Sequence, residues 1–87
     1  MIEQSLKLNT TVNKGPDRVV YRLIFKNALY SIECYIEGSE NKNNYCYIEN
    51  ITDDEGEAET FLKLMIKGMV LPIHMKDIAE DYFGVIK

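Results

Sequence analysis

The chain has 87 residues, 46% of them hydrophobic, with no Trp and a formal net charge of −4. That gives room for one domain and one core, and it is too apolar for a disordered segment. Its acidic excess, which falls in residues 53–87, disfavours there the basic footprint that nucleic acid or an anionic membrane requires.

The acidic excess is uneven. Residues 1–52 hold six acids and six bases, whereas residues 53–87 hold eight acids and four bases. The opening Met1-Ile2-Glu3-Gln4 has neither a basic n-region nor an apolar run. The longest apolar stretch, residues 69–73 with Pro72 inside it, falls far short of the roughly 20 residues of a membrane span. Two cysteines, Cys34 and Cys46, are too few for a disulfide framework. The expectation is a cytoplasmic protein with both thiols free.

Residues 5–12 alternate, with Leu6, Leu8, Thr10 and Val12 on one face, and read as a first strand. Turn formers at residues 13–17 follow it. Residues 18–28 read as a second strand. Its odd positions, Val19, Tyr21, Leu23 and Phe25, face the core, while Arg18, Arg22 and Lys26 occupy even positions. Asn27-Ala28 begins a tight reversal into a third strand, residues 30–37. A polar loop then leads to a fourth, residues 45–51.

The third and fourth strands share a short echo, Cys34-Tyr35-Ile36-Glu37 and Cys46-Tyr47-Ile48-Glu49. Setting Cys34 opposite Cys46 puts Ile32, Cys34, Ile36, Cys46 and Ile48 on one face. Glu33, Tyr35, Glu37, Tyr45, Tyr47 and Glu49 then share the other. A one-residue slip would mix the two sets.

The period changes from 2 to 3.6 near Thr52. Thr52-Asp53-Asp54-Glu55 has the spacing of a capping box. An apolar stripe follows: Ala58, Phe61, Leu62, Met65, Ile66 and Met69, flanked by Leu64 and Gly68. Pro72 ends this helix or opens the next. The second helix is predicted over about residues 74–83, with Met75, Ile78, Ala79, Tyr82 and Phe83 as its stripe and Gly84 beyond its end.

Candidate sites are few. His74, Asp77 and Asp81 fall on one helical face and could offer metal ligands or a general base. Further ligands and a recognised spacing are missing, so a solvated face is the plainer reading. Cys34 and Cys46 could form a redox pair, but nothing nearby in sequence lowers a thiol pKa, and core packing ranks ahead. The acidic run at residues 53–59 lacks the spacing of a calcium loop, and capping explains it.

The outer sheet face would combine Arg18, Arg22 and Lys26 with Tyr35, Tyr45 and Tyr47. Bases interleaved with aromatics can hold single-stranded RNA. Glu33, Glu37 and Glu49 share that face, however, so cross-strand ion pairs come first. A protein interface comes second and RNA a distant third.

The order Tyr21-Arg22-Leu23, Tyr30-Ser31-Ile32, Ile51-Thr52, then Val70-Leu71-Pro72-Ile73-His74 with Ile78 and Glu80-Asp81-Tyr82 resembles a family of small proteins from low-GC Gram-positive, spore-forming anaerobes. The likeness covers most of the chain after Asp17. That family carries a domain-of-unknown-function label, so the resemblance implies no activity and no catalytic residues.

The sequence therefore predicts one α+β domain over residues 1–87. A four-stranded antiparallel meander occupies residues 5–51, and two helices within residues 53–84 pack on one face. The leading functional expectation is a non-enzymatic interaction or regulatory module that binds another protein or itself, without a cofactor. A small metal-binding or thiol-dependent enzyme is the alternative, and RNA binding the third.

Overall fold

The computed structural model describes residues 4–84, so the opening residues 1–3 and the tail 85–87 lie outside it. The elements are β1 (Gln4–Lys14), β2 (Asp17–Lys26), β3 (Leu29–Ile36), a 3-10 turn (Lys42–Asn44), β4 (Tyr45–Thr52), α1 (Glu55–Lys67) and α2 (Pro72–Phe83). The strands form one antiparallel sheet in the order β1-β2-β3-β4. This is the predicted meander, with both helices packed on it.

The turns follow from backbone chemistry. Gly15, at φ 63, supplies the positive φ that a two-residue reversal between Lys14 and Asp17 requires. Asn27 and Ala28 both have positive φ, 54 and 66, the requirement of a type I′ hairpin turn. Asn tolerates this region, whereas Ala pays for its Cβ there.

The predicted register holds, with Cys34 opposite Cys46, Ile32 opposite Ile48 and Tyr35 opposite Tyr45. The inner face carries Val19, Tyr21, Leu23, Ile32, Cys34, Ile36 and Ile48. These pack with Ala58, Phe61, Leu62 and Met65 of α1 and Met75 and Ala79 of α2. Phe61 also meets Tyr82 and Phe83, with ring centroids 5.1 and 5.0 Å away, which ties the two helices together.

Two bulges modify the alternation. In β1 the register shifts between Leu6 and Leu8, so Leu6 pairs with Ile24 and Leu8 with Leu23. The single face expected for Leu6, Leu8, Thr10 and Val12 is thereby split, because a bulge adds one residue and reverses the alternation. Leu6 turns outward beside Ile24. In β4 Asn50 takes φ 58, and Ile51 joins the core although strict alternation from Ile48 would turn it outward. The Asn50 amide donates to the Oγ of Ser31 at 3.0 Å, which satisfies the fully buried Ser31.

The helix ends also differ from expectation. Because β4 continues through Thr52, α1 starts later and Asp54 is its N-cap. The Asp54 carboxylate accepts from the Glu57 amide at 2.9 Å. The predicted Thr52–Glu55 box does not form; Thr52 Oγ1 instead accepts from the Asp54 amide at 3.1 Å.

At its far end α1 stops at Lys67, so Met69 lies beyond the helix. Met69 takes φ 50 and is exposed. Its amide donates to Ile66 and that of Val70 to Met65, a Schellman closure with Met where Gly is usual. Two side chains reach this exit from the sheet. Tyr21 donates its hydroxyl to the Val70 carbonyl at 2.7 Å, and Lys14 Nζ donates to the Met69 carbonyl at 3.0 Å. Helix α2 then opens at Pro72, two residues before the predicted start, because a locked φ and a missing N–H cost nothing at the first helical position.

Candidate interaction face of the sheet

The helices occupy one side of the sheet, so the side chains alternating away from them form an outer face. Arg18, Arg22 and Lys26 line it on β2. Glu33, Tyr35 and, just past the strand, Glu37 lie on β3, with Tyr45, Tyr47 and Glu49 on β4.

Every one of these bases meets a carboxylate. Arg18 Nη1 lies 2.8 Å from Glu37, Arg22 Nη1 2.9 Å from Glu33, and Lys26 Nζ 3.5 Å from Glu49. Arg22 and Glu33 are direct cross-strand partners. Lys26 and Glu49 belong to strands that are not adjacent, so their pair arches over β3. With three bases and three acids paired off, the face is close to neutral.

Glu33 is the hub. One of its oxygens takes Arg22 and the other accepts from the Tyr45 hydroxyl at 2.7 Å. That donation, helped by partial burial, pushes the Tyr45 hydroxyl up to about 12. Tyr35 and Tyr45 stack with centroids 6.3 Å apart and planes at 25°. Tyr45 and Tyr47 are 52% and 39% exposed, whereas Tyr35 is half-buried. Of the three tyrosines, these two offer the most free surface.

Between the ion pairs the face is apolar. Val20 and Ile24, at even positions of β2, are only 3% and 5% exposed although no element covers that side among the described residues. The stems of Arg18, Arg22 and Lys26 flank them on the same strand face, as long basic side chains do over apolar surface. Arg22 Nε is the one buried side-chain polar atom among the described residues that lacks a partner.

The two cysteines lie on the inner face, opposite each other and free. Burial, with smaller contributions from Cys46 and Glu33, pushes the Cys34 thiol up to about 12. Burial also raises Cys46, against an opposing pull from the charge and backbone amide of Lys76. Thiols with raised pKa are poor nucleophiles at neutral pH. His74, Asp77 and Asp81 stand exposed on α2. Among the described residues no three His, Cys, Asp or Glu side chains converge so as to hold a metal ion.

The residues that reading the sequence passed over are Val20, Ile24 and Ser31. Only their even or odd position marks them as outward-facing, and neither parity nor polarity reveals that they are covered.

The model of a family of unknown function, DUF6514, matches residues 4–85. The chain belongs to that family. The match runs from β1 through α2 of this chain. No curated protein and no solved structure matches the chain.

Proposed function

We propose that this DUF6514 chain is a single-domain, non-enzymatic module that binds another protein through the outer face of its sheet, with Tyr45 and Tyr47 as anchors. The observation that carries the reading is two exposed tyrosines on a neutral, internally ion-paired face that no element covers among the described residues. Aromatic residues over an apolar floor, ringed by satisfied charges, match the centre and rim of protein interfaces. Pre-formed ion pairs also hold the long side chains still, which lowers the ordering cost of binding.

RNA would need cations free to meet phosphates, whereas here Arg18, Arg22 and Lys26 are each engaged by a carboxylate. Thiol chemistry would need a thiolate, and burial disfavours one at both cysteines. The reading places the protein in the cytoplasm, where Cys34 and Cys46 stay reduced.

The test is affinity capture from lysate of the source organism with the wild type and with Tyr45→Ser combined with Tyr47→Ser. A partner lost only with the double variant supports the reading. A partner held equally by both refutes it.

A further inference from the structure

The sheet has two edges, and they are finished differently. The β4 edge carries the Asn50 bulge and the charge of Glu49, and α2 packs beside it. Bulges, charges and covering elements are the usual protections of an edge. On β1 the bulge and Lys7 guard only the start of the strand. From Leu8 to Asn13 β1 pairs with β2 in unbroken register. That stretch, Leu-Asn-Thr-Thr-Val-Asn, has no charge, no Pro and no Gly. Alternate backbone N–H and C=O groups along it point away from β2, and no strand meets them among the described residues.

The inner row of β1 is open as well. Helix α1 packs over β2, β3 and β4, and α2 over β3 and β4. Leu8, Thr10 and Val12 are therefore only half-buried, although Leu8 and Val12 touch the core.

We propose that the β1 edge pairs with β1 of a second copy of this chain, joining two sheets into one of eight strands. The residues themselves choose the register. In a two-fold antiparallel pair, residues facing each other must share a sheet face, so their numbers sum to an even value. Centring the axis on Thr10 sets Leu8 against Val12 of the other copy, Asn9 against Thr11 and Lys7 against Asn13. The half-buried apolar row then continues across the junction, and no like charges face each other. Centring on Thr11 sets Leu8 against Lys14, and centring on Asn9 leaves only residues 8–10 to pair before the bulge at Lys7, against residues 8–12 for Thr10.

A second copy fits this edge better than a charged peptide, because an uncharged strand offers no pairing for charge. The contact uses neither Tyr45 nor Tyr47. It also leaves the outer faces of both copies on the same side of the joined sheet, so the dimer would present the proposed binding face twice. The inference stands independently of that proposal.

Sedimentation equilibrium over about 1 µM to 1 mM tests it, a range that brackets a modest strand-pairing interface. The wild type is compared with Asn9→Glu combined with Thr11→Glu, and with Asn9→Glu combined with Thr11→Lys. Residues 9 and 11 are exposed, so both variants should fold, and circular dichroism checks that they do. The wild type should dimerise. The Glu–Glu variant, which opposes like charges twice across the axis, should weaken association by about tenfold or more. The Glu–Lys variant, which opposes unlike charges in this register alone, should restore it. A wild type monomeric throughout overturns the inference. So does a dimer indifferent to the Glu–Glu variant, or one lost equally in both variants. Tyr45→Ser with Tyr47→Ser should leave the dimer intact, which separates this edge from the outer face.

Discussion

Replacing Tyr21 with Phe removes one oxygen from the centre of the fold and little else. Tyr21 is fully buried, and its hydroxyl reaches the Val70 carbonyl at 2.7 Å, joining β2 to the segment between the helices. The ring stays and its packing with it, so the loss is the hydrogen bond plus part of the cost of leaving a half-buried carbonyl unmet. The first contributes about 1 kcal/mol and the second up to about 1 kcal/mol more. In a domain of this size each kcal/mol corresponds to about 4–8 °C in Tm, so Tyr21→Phe should melt roughly 5–15 °C lower. The assay is thermal and urea unfolding followed by circular dichroism, with the urea m-value unchanged. Tyr47→Phe is the control and should stay within about 0.5 kcal/mol, as exposed substitutions do. If Tyr21→Phe melts within about 2 °C of the wild type, the tie does not hold the helical layer to the sheet.

Ala28 and Met69 both occupy positive φ, 66 and 50; Ala28→Gly and Met69→Gly should each stabilise the protein by about 0.5–1 kcal/mol, which urea unfolding would show. Asp54→Ala should cost about 1 kcal/mol of stability, whereas Glu55→Ala should cost well under half of that, since Asp54 rather than the Thr52–Glu55 pair caps α1. Stability should fall at alkaline pH. Cys34 and Tyr21 are raised from ordinary values of 9.0 and 10.0 to about 12, so the unfolded chain releases these protons first and the native state loses ground from about pH 9 to about pH 12. Cys34→Ala should make that fall shallower without moving its onset, because the Cys46 thiol is also raised from 9.0, measured by urea midpoints against pH.

The strand alternation was legible because a sheet with one covered face must segregate apolar from polar residues. The Cys34–Cys46 register was legible because it keeps the apolar and polar sets of both strands on separate faces, which a one-residue slip would mix. Pro72 and Gly84 punctuated α2 through their fixed and free backbone angles. The bulge at Lys7 left no sign, since neither Gly nor Asn marks it. Thr52, Asp53 and Asp54 can all cap a helix, and only the run of β4 through Thr52 decides among them. Met69 looked like part of the α1 stripe because a left-handed Met after Gly68 has no sequence signature. On the outer face the charges and tyrosines could be named from parity, and the two Arg–Glu pairs follow from cross-strand placement, whereas Lys26–Glu49 spans strands that are not adjacent. The burial of Val20 and Ile24 could not be foreseen, since parity places them on the outer face and only the packing of their neighbours there leaves them covered.

The most direct test of the account is the affinity of a captured partner for three forms of the protein. These are the wild type, Tyr45→Ser with Tyr47→Ser, and His74→Ala with Asp77→Ala. If Tyr45 and Tyr47 anchor the interface, the tyrosine variant should lose about 30-fold or more in affinity, and the α2 variant should bind like the wild type. Equal binding by the tyrosine variant, or a loss confined to the α2 variant, would contradict the assignment of function to the outer face of the sheet.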